Sequence, residues 1–112
     1  MAKGIILVES RPSSPDREDE YNTWYDEVHL GELVALDGFV SARRLRPVDG
    51  DGPYMAIYEI EGDDLQAILD NMIANGPQLH MSDALQLDPP PIPRLLETTP
   101  SAAADRARVA HT

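Results

Sequence analysis

The sequence predicts an α+β domain in which two helices cover one face of a four-stranded antiparallel sheet. Stretches with strand composition occur in four places. Two stretches with helical capping or spacing signals lie between the first and second strands and between the third and fourth. The predicted order is therefore β-α-β-β-α-β. A chain of 112 residues suits a single core, and we expect one domain over residues 1–99.

A strand and a long helix make up the first third of the chain. The run GIILVES predicts a strand at residues 3–9, and because its apolar residues do not alternate, it suits a strand covered on both faces. The serines and Pro15 that follow are typical of a helix start. We expect the helix to run from about Pro15 to Leu36, and Gly38 can take the left-handed conformation that ends it.

A hairpin and a second helix follow. The turn-forming run DGDGP separates GFVSARRLRPV from YMAIYEIE, and both flanking runs have strand composition. In GDDLQAILDNMIANGP the apolar residues fall at helical spacing. Asp63 and Gln66 resemble a capping box at the start of this helix.

The remaining chain is irregular before a last strand. Three consecutive prolines exclude helix in QLHMSDALQLDPPP, and IPRLLETT is predicted as the fourth strand. Residues 100–112 lack apolar periodicity, so we expect a flexible C-terminal tail there.

This element order is the ferredoxin-like arrangement, which leaves one face of the sheet bare. In the first strand Ile5 and Leu7 are predicted to point to one face, and Ile6 and Val8 to the other. An exposed apolar sheet face favours association. We therefore expect a homodimer that packs through the open face of the sheet.

Composition excludes several classes of function. Nine Lys and Arg against twenty Asp and Glu give a formal charge of −11, which disfavours nucleic acid and anionic membranes as partners. Without cysteine, thiol catalysis and thiolate metal sites are impossible. The apolar run before Glu9 is too short for a signal peptide or a membrane span, and we expect a cytoplasmic protein.

The first predicted helix carries a candidate site. At 100° per residue, His29 and Glu32 lie on its inward stripe, where an unpaired polar group costs about 1–3 kcal/mol. Tyr25 lies one turn before His29, so these three side chains could form one hydrogen-bonded cluster. A carboxylate beside the imidazole would raise the pKa of His29. We predict a small buried pocket in which His29 is the general base, Glu32 orients it and Tyr25 or Tyr58 donates a hydrogen bond to the substrate oxygen.

The run YNTWYDEVHLGELVALDGFVSARRL resembles the first helix and second strand of the dimeric α+β barrel superfamily, especially its EthD-like members. In that family a helix bearing W-Y-x-x-x-H leads into a Gly-Phe turn and an Arg-containing strand. The resemblance implies a homodimer whose two sheets close a barrel, with a small-molecule cleft between the sheet and the helices of each subunit. The chemistry of the superfamily is diverse, so the fold does not choose the reaction. The matching positions are Trp24, Tyr25, His29, Gly38 and Phe39, while Asp37 stands where the family often has proline.

The leading hypothesis is a cofactor-independent lyase, isomerase, cyclase or oxygenase that acts on a hydrophobic carbonyl-bearing or phenolic compound. A non-catalytic binding or accessory protein is the alternative that uses the same pocket. A third interpretation is purely structural, with Glu32 paired to Arg43 or Arg44. The residues predicted to contact substrate, besides the three catalytic ones, are Trp24, Phe39, Arg43, Tyr58 and His80.

Neither a metal nor another cofactor is expected. His29 and Glu32 supply two ligands at helical spacing, whereas zinc and iron sites usually use three protein ligands. His80 is the candidate for a haem ligand, but a lone loop histidine is more often exposed to solvent, and we set haem aside.

Overall fold

Four strands form one antiparallel sheet in the computed structural model, which describes residues 1–103. Their order across the sheet is β2-β3-β1-β4. The α+β class and the four-stranded antiparallel sheet are therefore confirmed. Residues 104–112 of the predicted tail lie outside the described residues. The strands are β1 Ala2–Ser10, β2 Phe39–Leu45, β3 Tyr54–Gly62 and β4 Pro93–Glu97.

The segment between β1 and β2 is helical but not uniform. In its middle, the backbone N–H of Leu30 bonds to the carbonyl of Tyr25, five residues back. A π-helical turn of this kind inserts one extra residue into an α-helix. One continuous α-helix over 15–36 was the expectation, so positions after the turn are rotated from those of an ideal helix. The pieces are a 3₁₀ turn at Pro15–Arg17, α1 at Glu18–Trp24, the π turn at Tyr25–His29 and α2 at Leu30–Val34.

Gly38 lies between α2 and β2. Its φ is +88°, a conformation that L residues with a side chain rarely adopt. A Cβ at this position would also lie 2.6 Å from Cδ1 of Ile68. Glycine is thus required here twice, by the backbone and by the close approach of the second helix.

The second helix, α3, spans Leu65–Ala74. Its first turn is capped by Asp64, whose carboxylate accepts a hydrogen bond from the backbone N–H of Ala67 at 3.2 Å. The predicted capping box on Asp63 and Gln66 is wrong. Asp64 has the extended backbone that an N-cap requires, so the helix begins one residue later than expected.

The helices cover one face of the sheet. The register places Ile6 opposite Tyr58 and Val8 opposite Ala56, with all four side chains toward the helices. The opposite face carries partly buried Ile5, Leu7 and Ile57 and exposed Leu45 and Leu96. The two faces of β1 are thus both apolar. Within the described part of the chain, no helix is long and apolar enough to cross a membrane.

Candidate functional site

A cavity of about 310 Å³ lies between the sheet, the π turn, α3 and the irregular segment before β4. Most of its lining is aliphatic side chains and prolines. Four lining residues carry a nitrogen or oxygen in the side chain, and no Lys, Arg, Asp or Glu is among the lining residues of the described chain. The cavity is therefore an apolar chamber with a few neutral polar groups, which are Ser10, Tyr25, His29 and Tyr58.

His29 ends the π turn and lines this cavity. Its side chain is only 8% exposed. The imidazole stacks on Trp24 with 4.6 Å between ring centroids and meets the edge of Tyr25 at 5.0 Å. Among residues 1–103, its Nδ1 atom has no hydrogen-bond partner. The aromatic neighbours fix the ring, while no group of residues 1–103 bonds to this nitrogen.

Burial decides the charge of His29. It lowers the pKa of the imidazole from 6.5 to about 4, and the charge of Glu32 opposes this shift only in part. The expected rise in the pKa is therefore wrong, because the loss of solvation outweighs a carboxylate that is not in contact. At neutral pH the ring is uncharged.

Glu32 points away from His29 toward the segment that follows α3. Its two carboxylate oxygens accept the backbone N–H of His80 at 3.1 and 3.2 Å, and one of them lies 2.6 Å from Nδ1 of His80. The side-chain hydrogen bond from His80 lowers the pKa of Glu32. The predicted cluster of Tyr25, His29 and Glu32 is thus not formed. The π turn explains the difference, because it rotates Glu32 away from the direction that 3.6 residues per turn gives.

Trp24, like Glu32, contacts His80. Its indole N–H donates to the carbonyl oxygen of His80 at 2.7 Å. Trp24 and His80 were expected to contact substrate, and neither lines the cavity. The side chain of His80 is 83% exposed. These two residues, together with Glu32, join the helical segment to the wall of the cavity.

Tyr25 and Tyr58 both line the cavity and are almost completely buried, at 2% and 0% exposure. The hydroxyl of Tyr58 donates to that of Tyr25 at 3.4 Å, a distance at which a hydrogen bond is weak. Burial raises the pKa of both phenols, so both stay protonated at neutral pH. Because Tyr58 donates to Tyr25, the proton of Tyr25 is the one left to donate to a ligand oxygen. Phe39 packs edge-on against Tyr58 at 5.8 Å and supports it from outside the cavity.

Arg44, not Arg43, faces the side of the sheet on which Tyr21, Tyr25 and Tyr54 pack together. Its guanidinium lies over the rings of Tyr25, Tyr54 and Tyr21 at 4.4, 5.1 and 5.3 Å. The side chain is only 10% exposed and bonds to Asp26 at 2.7 Å. Arg44 therefore packs against Tyr25 from outside the cavity, since Arg44 is not one of the residues that line it.

Arg43 lies on the bare face of the sheet, opposite Ile57, and does not reach the cavity. The register of β2 shifts between Phe39 and Ser41, so Val40 is an extra residue. Such a bulge reverses which residues of a strand point inward. The structural alternative that paired Glu32 with Arg43 or Arg44 is also wrong, because Glu32 bonds to His80.

The geometry combines an uncharged imidazole with an unpaired nitrogen and two neutral phenols around an apolar space. Within residues 1–103, no three His, Asp or Glu side chains are grouped so that they could hold a metal ion. No protein-family model matches the chain, and comparison with curated proteins and with solved structures finds no match. The function therefore has to be argued from the cavity itself.

Proposed function

We propose that the cavity binds a small, uncharged, mainly apolar molecule with a carbonyl or hydroxyl oxygen, and that the protein moves a proton on this molecule without a cofactor. The observation that carries the proposal is the buried imidazole of His29 in the lining of an apolar cavity. Its Nδ1 is enclosed and has no partner among residues 1–103. The other ring nitrogen, Nε2, is therefore the one that we propose to bond to a ligand in the cavity.

The size and lining of the cavity restrict the ligand. A dry apolar cavity of about 150 Å³ accommodates benzene, so 310 Å³ suits a molecule of about two fused rings. A carboxylate or phosphate would lose its hydration in this cavity without meeting a cation. We therefore propose a neutral phenol or ketone of bicyclic size.

The three polar side chains have separate roles in this mechanism. His29 takes a proton from the carbon next to the carbonyl, and the electron pair of that C–H bond moves onto the oxygen as an enolate. The hydroxyl of Tyr25 donates a hydrogen bond to this oxygen, and the hydroxyl of Tyr58 donates to Tyr25. Both thereby help to stabilise the negative charge. The nearby negative charge raises the pKa of the imidazole at that moment. Return of the proton at another carbon completes an isomerisation. Expulsion of a leaving group from the β-carbon of the enolate gives a lyase, attack of its carbanion carbon on a second carbonyl of the same molecule gives a cyclase, and reaction with dioxygen as co-substrate gives an oxygenase.

A binding protein without catalysis is the second candidate, and the pKa of His29 favours it. A general base works best when its pKa lies near the working pH, and about 4 is well below neutrality. In this function the neutral imidazole only accepts a hydrogen bond from the hydroxyl of a stored or transported molecule.

Two measurements with 1-naphthol test both candidates. One is its affinity for the protein, and the other is the pKa of His29, measured by NMR with and without 1-naphthol. We expect 1-naphthol to bind and the His29→Phe variant, which keeps the stacking on Trp24, to bind about tenfold more weakly. Val48→Phe is the control, because Val48 is a fully exposed position of the hairpin turn, and should bind normally. Absence of binding to the natural sequence would overturn the ligand site.

Turnover separates the enzyme from the binder. We expect products from a panel of bicyclic ketones and phenols, and none with His29→Phe. Binding without any product, combined with a pKa of His29 that stays near 4 in the complex, would select the binding protein. Equal turnover by His29→Phe and the natural sequence would exclude His29 as the base.

We further propose that the subunit is ferredoxin-like, related to the EthD-like dimeric α+β barrels, and that two copies pack through the bare face of the sheet. The element order along the chain and the sheet order β2-β3-β1-β4 support the first part. The apolar residues Ile5, Leu7 and Ile57 on the uncovered face support the second. Analytical ultracentrifugation should show a dimer that Ile57→Asp converts to a monomer. Val48→Asp, at a fully exposed position of the hairpin turn, should leave the dimer intact, and a monomeric natural sequence would contradict this proposal.

A further inference from the structure

Residues 79–82, here called the gate segment, form part of the cavity wall. The backbone of Leu79 is extended, and successive side chains of an extended chain point in opposite directions. Leu79 and Met81 line the cavity, while the side chain of His80 between them points out to solvent and to Glu32. The gate segment is thus one residue layer thick between the cavity and the outside.

The mouth of the cavity lies beside the gate segment. Three apolar residues line the cavity and are also more than half exposed: Ile73 at 57%, Met81 at 51% and Leu87 at 58%. A residue can do both only where the cavity meets solvent. Because Met81 belongs to the gate segment, a movement of this segment changes the width of the mouth.

The gate segment is held by side chains of the helical segment at one residue, His80. Glu32 accepts its backbone N–H and lies 2.6 Å from its ring Nδ1, and the indole of Trp24 donates to its carbonyl at 2.7 Å. Both backbone polar groups of His80 are therefore satisfied by side chains of the helical segment. If these bonds open, water can replace them, because His80 is already at the surface.

The chain on either side of the gate segment is fixed independently. Before it, the N–H of Gln78 bonds to the carbonyl of Asn75 at 3.0 Å. After it, Asp83 pairs with Arg17 at 2.6 Å. Backbone bonds then tie residues 84 and 86 to residues 13 and 11 at 2.6 and 3.0 Å. Release of His80 can therefore move the gate segment without unfolding its neighbours.

We propose that Glu32 and Trp24 are positioning residues that latch the gate segment over the cavity, and that release of His80 opens the route by which the ligand enters and leaves. The same indole also stacks on His29, so the latch and the candidate base share one side chain. The part of this inference that concerns ligand passage rests on the proposed function of the cavity. The latch itself does not.

Amide hydrogen exchange, followed residue by residue by NMR, tests the latch without any ligand. In the described chain the hydrogen-bonded amides of the gate segment are those of Leu79, which bonds to Gly76, and His80, which bonds to Glu32. In Glu32→Ala we expect both to exchange at least tenfold faster, with β1 and β3 unchanged. Leu79 keeps its acceptor in this variant, so its amide reports the movement of the segment. Glu27→Ala is the matched control, because Glu27 is an exposed carboxylate of the same helical segment, and should exchange like the natural sequence. Unchanged exchange at the gate segment in Glu32→Ala would overturn the latch.

If Glu32→Ala accelerates exchange throughout the sheet, Trp24→Phe takes its place. This variant keeps an aromatic ring against His29 but lacks the N–H donor to His80. Selective acceleration at residues 79–82 would support the latch, and its absence would overturn it.

Stopped-flow binding of 1-naphthol tests the route. We expect Glu32→Ala to raise the association and dissociation rates together, each at least threefold, with less than a twofold change in Kd. A purely structural role of Glu32 would change Kd instead. Accelerated exchange with unchanged binding rates would overturn the gate segment as the route. If 1-naphthol fails to bind even the natural sequence, the proposed function fails for this ligand, while the exchange experiment still decides the latch.

Discussion

The cavity has two walls of different construction. One wall comes from β1, β3 and the π turn, and its side chains Tyr25, His29 and Tyr58 are buried and packed against other aromatic rings. The other comes from the irregular chain between α3 and β4, whose Met81 and Leu87 are more than half exposed. The first wall carries the groups that can do chemistry, and the second controls access. Rigid placement and movable access are thus assigned to different parts of the chain.

The largest expected effect on the free energy of unfolding comes from a substitution in the first wall. Tyr58 is fully buried and contacts both Phe39 and Tyr25, so Tyr58→Ala should lower the free energy of unfolding by about 3–5 kcal/mol. Leu87→Ala, in the exposed wall, should change it by about 0.5 kcal/mol or less. Urea denaturation measures both. Similar losses in the two variants would mean that the walls do not differ.

The pH dependence of stability follows from His29. Since its pKa in the folded protein is about 4 against 6.5 for the free group, the unfolded chain takes up the proton first as the pH falls. Stability should therefore be constant above about pH 6.5 and decline toward pH 4. At roughly 1.4 kcal/mol per pH unit, the loss attributable to this residue is about 3 kcal/mol.

Urea denaturation from pH 7 to pH 4 measures this decline, and the His29→Phe variant is the comparison. Carboxylates with lowered pKa values, such as Glu32, titrate in both proteins and cancel in the difference. An equal decline in the two proteins would mean that His29 is not a buried neutral group.

A smaller effect is expected from the arginine behind the tyrosines. Arg44→Met keeps the aliphatic stem but removes the contacts with three tyrosine rings and with Asp26, and should cost about 1–2 kcal/mol of unfolding free energy. Arg43→Met, on the other face of the same strand, should change it by about 0.5 kcal/mol or less. Thermal and urea denaturation of the pair give the comparison. A larger loss of unfolding free energy in Arg43→Met than in Arg44→Met would mean that Arg43 faces inward and that the bulge in β2 lies at another position.

The smallest effect on stability is expected at the latch. His80→Ala removes an exposed imidazole from Glu32, and exposed ion pairs contribute only about 0–1 kcal/mol. Because Trp24 is the single tryptophan of the chain, its fluorescence reports on the latch directly. Acrylamide should quench Trp24 more strongly in His80→Ala than in Gln78→Ala. Equal quenching would mean that the exposed imidazole takes no part in holding the segment.

Local patterns predicted much of the fold. The four strands form within one to three residues of most predicted ends, and Gly38 has the positive φ that was expected of it. The alternation of residues 5 to 8 predicted that Ile5 and Leu7 lie on the face of β1 opposite to Ile6 and Val8. These features depend on residues that are close in sequence, so the sequence can show them.

The candidate site was predicted less completely, because three of its properties are not local. The π turn changes the direction of Glu32 relative to Tyr25 and the helix before it, and the bulge at Val40 exchanges Arg44 for Arg43 at the inner face. No sequence pattern predicted the π turn or the bulge. The partner of Glu32 is His80, 48 positions away in the chain, and a helical wheel contains no such contact.

The sequence by itself determined the composition of the sheet, the class of the fold and the inward direction of His29, since periodicity and turn-forming residues act over a few positions. The tertiary structure decided the charge of His29, the partner of Glu32 and the wall that closes the cavity. The physical reason is that desolvation and long-range hydrogen bonds depend on which distant segments pack together. Burial lowers the pKa of His29, and only the folded arrangement of sheet, helices and returning chain creates that burial.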